Sequence, residues 1–400
     1  MRKNGQLAGI FIVAGTCIGG GVIALPMVLA SVGLVGTVLI MAITWAVAYY
    51  SALINLELNL QAGCGMDIGR LGKHFSGIKA AWLGRLMLLL LMYALLAAYF
   101  YGLSALLSET FQLAPQSHWL MTIGVSAIFC GLMMLPLRGL DLVNRPLFIG
   151  MLIVAAFLLV GLSRHVSWDR SILFPPPVAK LRHWIAVIPI LFTSFGFQVI
   201  FHTLSNYYAQ NKDVLCRVFL WGSLIPAAVY IIWTVAVLLA IHGSNPAFYD
   251  KMALGHVDVG SLVIELSRLT ANPAIRTIVW AVSVLAVTTS MVGVGLGLCS
   301  TLHALLPGKF HIARHRALPA AISTIPPLAL ALLIPGAFTI ILGVAGVILA
   351  ILAILLPLYL VKIGKFATLN YGAVGNPIAQ CLVCIAAIGV IFCEIAHIYL

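Results

Sequence analysis

Acidic side chains are scarce: Asp and Glu together supply ten of 400 positions, and charged residues of both signs make up 8%. A soluble globular chain carries about 25% charged residues, so a composition that is 62% hydrophobic excludes a water-soluble domain and places the chain in a membrane. The formal charge of +12 would suggest a nucleic-acid partner in a soluble protein, but the basic residues sit in short segments between apolar runs, and no such partner is expected. The apolar runs are continuous, not alternating, which excludes a transmembrane β-barrel. No GxxxxGK[ST] loop is present, so the chain carries no ATP-binding signature of its own. Cys381 and Cys384 form a CxxC with no second CxxC or histidine at ligand spacing; no metal is expected, and all eight cysteines read as free thiols. No intramembrane His/Asp/Glu cluster and no paired nucleophile and base appear. The chain therefore reads as a non-enzyme without cofactors, with a membrane-embedded enzyme or a channel as the different-class alternatives. The first apolar stretch runs past Ala30 and is interrupted by glycines, so no cleavable leader is expected.

What is abundant is apolar sequence of spanning length. A membrane helix takes about 20 such residues, and division at polar, charged or Pro/Gly punctuation predicts eleven spans in an all-α fold. They lie near 6–30, 34–60, 80–108, 118–136, 146–163, 184–206, 218–242, 276–303, 317–334, 337–361 and 377–399. An apolar-periodic piece from Val257 to Leu269, interrupted by Asp258, Glu265 and Arg268, reads as a short surface helix. With the N-terminus inside, 15 of the 22 Lys and Arg fall on the cytoplasmic side, the retention expected of short cytoplasmic loops; the C-terminus is then outside.

Two spans are poor helices. The first carries Gly15, Thr16, Cys17, Gly19, Gly20 and Gly21 in its middle, and each interior glycine costs about 1 kcal/mol relative to alanine. An unwound segment is expected there, with a small-residue packing face as the alternative. The sixth reads PILFTSFGFQVIFHTLSNY from Pro189 to Tyr207 and places Thr193, Ser194, Gly196 and Gln198 between Phe195, Phe197 and other aromatics. Interruptions five spans apart match two inverted repeats whose broken helices meet at the bilayer midplane. Such a site suits a zwitterionic amino acid: its carboxylate takes the N–H groups around Gly19 to Gly21, and its ammonium takes carbonyls freed near Thr193 to Phe195.

Four stretches carry a resemblance: GTCIGGGVIALP at 15–26, YYSALINLELNL at 49–60, PILFTSFGFQ at 189–198 and TSMVGVGLGL at 289–298. With them the chain resembles the bacterial hydroxy/aromatic amino acid permeases, which include tyrosine- and tryptophan-specific transporters. The resemblance implies the five-plus-five inverted-repeat fold of the sodium-coupled leucine transporter and proton-driven uptake across the bacterial inner membrane. It implies a first repeat over 1–163, an external loop over 164–183, a second repeat over 184–361 and a C-terminal helix within 362–400. The expected partners are an aromatic amino acid, foremost tyrosine, the coupling proton and membrane lipid. Tryptophan, phenylalanine or serine as substrate and Na⁺ as coupling ion are the alternatives.

Ionisable groups inside spans are functional candidates because burying charge in hydrocarbon is costly. Glu57 reads as a proton acceptor or as a structural carboxylate near the cytoplasmic end, and His202 as a group titrating near neutral pH or as a satisfied core histidine. Thr288, Thr289 and Ser290 in the eighth span read as oxygen ligands for Na⁺ or as helix-internal donors. Glu394 and His397 read as packing or surface residues. Among the third-span aromatics Tyr93, Tyr99, Phe100 and Tyr101, Tyr93 is expected to join Phe195 and Phe197 around the substrate's ring.

Overall fold

A computed structural model describes residues 3–63, 65–112, 117–135, 149–150, 153, 169–209, 211–268, 273–305, 317–334, 337–364 and 366–399. Among these the regular structure is entirely helical. Among the described residues six helices are long and apolar enough to cross a membrane, and three shorter apolar helices accompany them. The chain is a multi-pass helical membrane protein. The fifth expected span, with the turn at Asp141, Asn144 and Arg145 before it, lies outside the described residues apart from 149–150 and 153.

Helix α1 (Lys3–Cys17) ends where the glycine run begins, and α2 (Gly21–Leu29) resumes after Ile18, Gly19 and Gly20. A short 3-10 turn, Ala30–Val32, leads into α3 (Gly33–Gln61). Gly33 has φ 71°, which L side chains rarely adopt, and a Cβ there would stand 2.5 Å from the carbonyl carbon of Phe174. That contact seats the 170–176 segment on the N-terminal end of α3. At the other end, α4 (Ile68–Phe75) is a short helix capped by Asp67, whose carboxylate accepts from the Arg70 amide at 2.9 Å. Helix α5 (Ile78–Thr110) is at the centre of the bundle and packs against several later helices.

Beyond α6 (His118–Met133), α7 (Leu181–Ser194) runs into the second interruption. The backbone leaves helical geometry at 195–197, makes a 3-10 turn over Gln198–Ile200 and re-enters a helix at α8 (Phe201–Tyr207). Helix α9 (Lys212–Ser244) starts on Asn211, which accepts from the Val214 amide at 3.1 Å. Two short helices follow, α10 (Pro246–Ala253) and α11 (Val259–Arg268). The second matches the expected surface helix in position, yet it buries Val259, Leu262, Val263 and Leu266 and packs on α5.

The remaining elements are α12 (Pro273–Leu305), α13 (Ala317–Leu333), α14 (Ala337–Ala350), α15 (Leu356–Gly364) and α16 (Pro377–Tyr399). Helices α14 and α15 are continuous through a π turn, Ile351–Leu355. A π turn displaces carbonyls from the regular ladder, and here Ala353 O accepts from Ser51 Oγ at 2.7 Å and Asn55 Nδ2 at 3.0 Å. Two polar residues of α3 are thereby satisfied inside the bundle. Helix α16 turns Ile378, Leu382, Ile385, Phe392 and Ile395 outward, an apolar face suited to lipid.

Candidate functional site

The two interruptions face one cavity of about 640 Å³, within the range of small-molecule sites. Its walls come from α1 (Phe11, Ile12, Gly15, Thr16, Cys17), the first break (Gly20, Gly21), α5 (Leu91, Met92, Leu95, Tyr99), the second break and its flanks (Thr193, Ser194, Gly196, Gln198, Ile200), α12 (Thr289, Ser290, Gly293, Val294, Gly297) and α14 (Leu342, Leu349). Among the described residues no Asp, Glu, Lys or Arg lines the cavity. Charge complementarity must therefore come from backbone dipoles.

The backbone supplies them. Helix α2 begins at Gly21, and its N-cap Gly20 provides no side-chain hydrogen bond. The leading N–H groups of a helix lack partners within it, so the positive end of α2 lies at the cavity wall. Close packing fixes this end. A Cβ on Gly20 would stand 2.8 Å from a ring carbon of Tyr99, and one on Gly21 would stand 2.7 Å from Ser194 Oγ and 2.8 Å from the Tyr230 hydroxyl. Gly19 lies against Ser290, where a Cβ would overlap the hydroxyl.

Helix α9 holds both breaks through two side chains one turn apart. The fully buried Tyr230 donates to Cys17 O at 2.6 Å, with Ser194 O 3.3 Å from the same hydroxyl. Cys17 and Ser194 are the last residues of α1 and α7. Trp233 donates its indole N–H to Val22 O at 2.6 Å. Neither residue stands out in the sequence reading. The available signal was a Tyr and a Trp at i, i+3 in the middle of a span, since buried phenol and indole groups usually find a hydrogen-bond partner.

Of the expected substrate-binding residues, Gly15, Thr16, Cys17, Gly20, Gly21, Thr193, Ser194, Gly196 and Gln198 line the cavity. Gly19 sits just behind it against Ser290. Three aromatics are placed elsewhere. Phe195 is fully buried with its ring edge-on to Tyr230 at 5.8 Å, and Phe197 is fully buried against Phe201 and Phe219, each 6.0 Å away. Tyr93 points its hydroxyl to Ile322 O on α13 at 3.2 Å. The third-span aromatic at the cavity is Tyr99, which hydrogen-bonds Ser290. Its neighbours Leu91, Met92 and Leu95 offer the apolar wall.

Of the ion-coupling candidates, Thr289 and Ser290 reach the cavity, and Thr288 is half-buried outside its lining. Thr289 donates to Ala286 O at 3.1 Å. His202 falls in α8. Glu57 is not among the cavity-lining residues: fully buried at the end of α3, it accepts from Gln61 Nε2 at 2.7 Å, Asn370 N at 3.0 Å, Asn370 Nδ2 at 3.1 Å and Tyr371 N at 2.9 Å. Four donors on one carboxylate pin the 366–376 segment to α3. Among the described residues no group of His, Cys, Asp and Glu could hold a metal ion, and the seven described cysteines form no disulfide.

The chain is 31% identical to the tyrosine-specific transport system 2 of Haemophilus influenzae, over 98% of its own length and 96% of the relative's. It is 26% identical to a tryptophan-specific transport protein of Pseudomonas aeruginosa, over 91% and 87% of the two chains. It is 28% identical to glutamine transporter 2 of Aliivibrio fischeri, over 88% and 87%. The tryptophan/tyrosine permease family model matches residues 2–394, so the chain belongs to that family of permeases and is not an enzyme.

Proposed function

We propose that this chain is a secondary active transporter that imports an aromatic amino acid, tyrosine foremost, by alternating access and in symport with protons. The observation that carries the reading is the cavity between the two interruptions, which is lined by Gly20 and Gly21 at the start of α2, without a side-chain cap, and by Thr193 and Ser194 at the end of α7, with no charged side chain among the described lining residues. A zwitterion meets both needs there. Its carboxylate lies at Gly20 and Gly21, where α2 offers its positive end, and its ammonium lies toward the carbonyls at the end of α7. The ring then occupies the apolar wall of Leu91, Met92, Leu95 and Leu349 beside Tyr99. Relatives named for tyrosine and tryptophan support the substrate class.

The reading extends to eleven spans arranged as two inverted repeats, 1–163 and 184–361, with the loop 164–183 outside and the last helix within 362–400. It places the protein in a bacterial inner membrane with a cytoplasmic N-terminus and a periplasmic C-terminus, on the distribution of 15 of 22 Lys and Arg. Uptake into proteoliposomes is the test. Labelled tyrosine, tryptophan, phenylalanine, serine and glutamine are offered under separately imposed proton and sodium gradients. Accumulation of an aromatic amino acid driven by the proton gradient is the expected result, and a ranking headed by serine or glutamine sinks the substrate assignment. Glutamine belongs in the panel because one relative is named for it.

A further inference from the structure

Each hydroxyl around the cavity is already committed. Thr16 donates to Ile12 O at 2.7 Å, Thr193 to Pro189 O at 2.9 Å or Leu342 O at 2.8 Å, Ser194 to Ile190 O at 3.0 Å, and Thr289 to Ala286 O at 3.1 Å. Tyr99 and Ser290 bond to each other. Gln198 is different. Its side chain lines the cavity at the second break, and both Nε2 and Oε1 are buried without a hydrogen-bond partner. A buried carboxamide with both ends unpaired is costly unless something completes it. The 3-10 turn that starts at Gln198 holds the amide at the wall.

We infer that Gln198 is the specificity-determining residue of this site: its amide pairs with the polar end of the substrate's side chain, so that tyrosine is selected over phenylalanine. The inference rests on the amino acid transport reading above and adds the basis of its selectivity. Backbone groups at the two breaks recognise the parts common to all amino acids, and the apolar wall accepts any ring. The amide is the group able to tell one side chain from another. Oε1 accepts from a phenol hydroxyl or an indole N–H, and Nε2 donates to a phenol oxygen. A phenylalanine ring fills the same space and leaves both amide atoms unpaired, which is how a site built to bond a hydroxyl rejects the analogue lacking it.

The experiment measures competition against labelled substrate in proteoliposomes of the full-length protein. Unlabelled tyrosine, phenylalanine and 4-methylphenylalanine are compared on wild type and Gln198→Met. Wild type is expected to prefer tyrosine over both analogues by about tenfold or more. In Gln198→Met the ratio falls toward one because tyrosine loses affinity while phenylalanine keeps or gains it. An unchanged ratio overturns the inference, and so does an equal loss for all three, which would assign Gln198 to the α-amino or carboxylate group. If the variant fails to reach the membrane, the wild-type comparison decides: 4-methylphenylalanine inhibiting as well as tyrosine overturns the inference. Wild-type vesicles that carry no aromatic amino acid would defeat the functional reading instead. The Gln198→Met ratio for glutamine against leucine then decides the amide's role, with no change counting against it.

Discussion

The hydroxyl of Tyr230 lies 2.6 Å from the carbonyl oxygen of Cys17, the last helical residue before the first break. With Ser194 O 3.3 Å away, one phenol stands at the ends of both half-helices that face the cavity. Removing it leaves a buried carbonyl without its partner, at a cost of about 1–3 kcal/mol. Tyr230→Phe keeps the ring and its edge-on contact with Phe195. Initial uptake is expected to fall about tenfold or more while the purified variant keeps its monodisperse elution, because the loss is local to the breaks. Wild-type uptake by Tyr230→Phe would show that the hydroxyl does not position them.

Gly20→Leu is expected to abolish uptake without preventing membrane insertion. A Cβ at this position already stands 2.8 Å from the Tyr99 ring, and the rest of a leucine side chain has the cavity itself to occupy. The change acts on close approach at one point, so the apolar content that drives insertion is untouched. Normal transport with leucine at position 20 would mean that the backbone there does not meet substrate.

Phe197→Ala separates packing from recognition. The ring is fully buried against Phe201 and Phe219 and is absent from the cavity wall. Truncating a buried phenylalanine costs about 3–5 kcal/mol, so a marked fall in thermal stability is expected with the ranking of tyrosine, tryptophan and phenylalanine unchanged. A selective loss of the aromatic substrates at unaltered stability would restore Phe197 to the site.

Glu57→Ala should behave likewise at the other end of α3. Four donors from Gln61, Asn370 and Tyr371 lose their shared acceptor, and breaking a buried network of this kind is among the larger single-residue effects. Lower stability and poorer expression are expected, and protein that survives purification keeps its coupling ratio. Uncoupled substrate flux by a stably folded Glu57→Ala protein would instead place the carboxylate on the proton path.

These cases show what the sequence made legible. Glycine runs and a Ser-Phe-Gly-Phe-Gln stretch announce where a helix cannot continue, and the chain leaves helical geometry at 18–20 and 195–197. The direction of a side chain at a break is another matter, because no helical periodicity applies there. Phe195 and Phe197 flank Gly196 in sequence, yet the glycine faces the cavity and the rings face α9. Tyr93 and Tyr99 lie on one helix less than two turns apart, and the structure alone shows which of them meets the break. Nothing in the sequence reveals that a π turn 300 residues later presents Ala353 O to Ser51 and Asn55. Short helices such as α4 and α10 escaped notice because they lie in polar connections, where span counting by hydropathy is blind.

The proposed proton coupling has a rival in Na⁺, for which two neutral hydroxyls are the candidate ligands. Thr289 and Ser290 are the sequence's candidates for holding Na⁺, and both reach the cavity beside the first break. Na⁺ is a hard cation that needs several oxygen ligands at once. Thr289 donates to Ala286 O at 3.1 Å and Ser290 is paired with Tyr99, so their oxygens keep acceptor capacity but no carboxylate accompanies them. Proton coupling needs no such ligand shell. Under this reading, replacing external Na⁺ with choline at constant pH leaves initial tyrosine uptake nearly unchanged, and collapsing the proton gradient abolishes accumulation while exchange of internal for external substrate continues. Ser290→Ala is then expected to alter affinity for substrate without introducing any dependence on Na⁺. Uptake that requires Na⁺, persists without a proton gradient and is lost in Ser290→Ala would reverse the assignment and make the α12 hydroxyls the cation site.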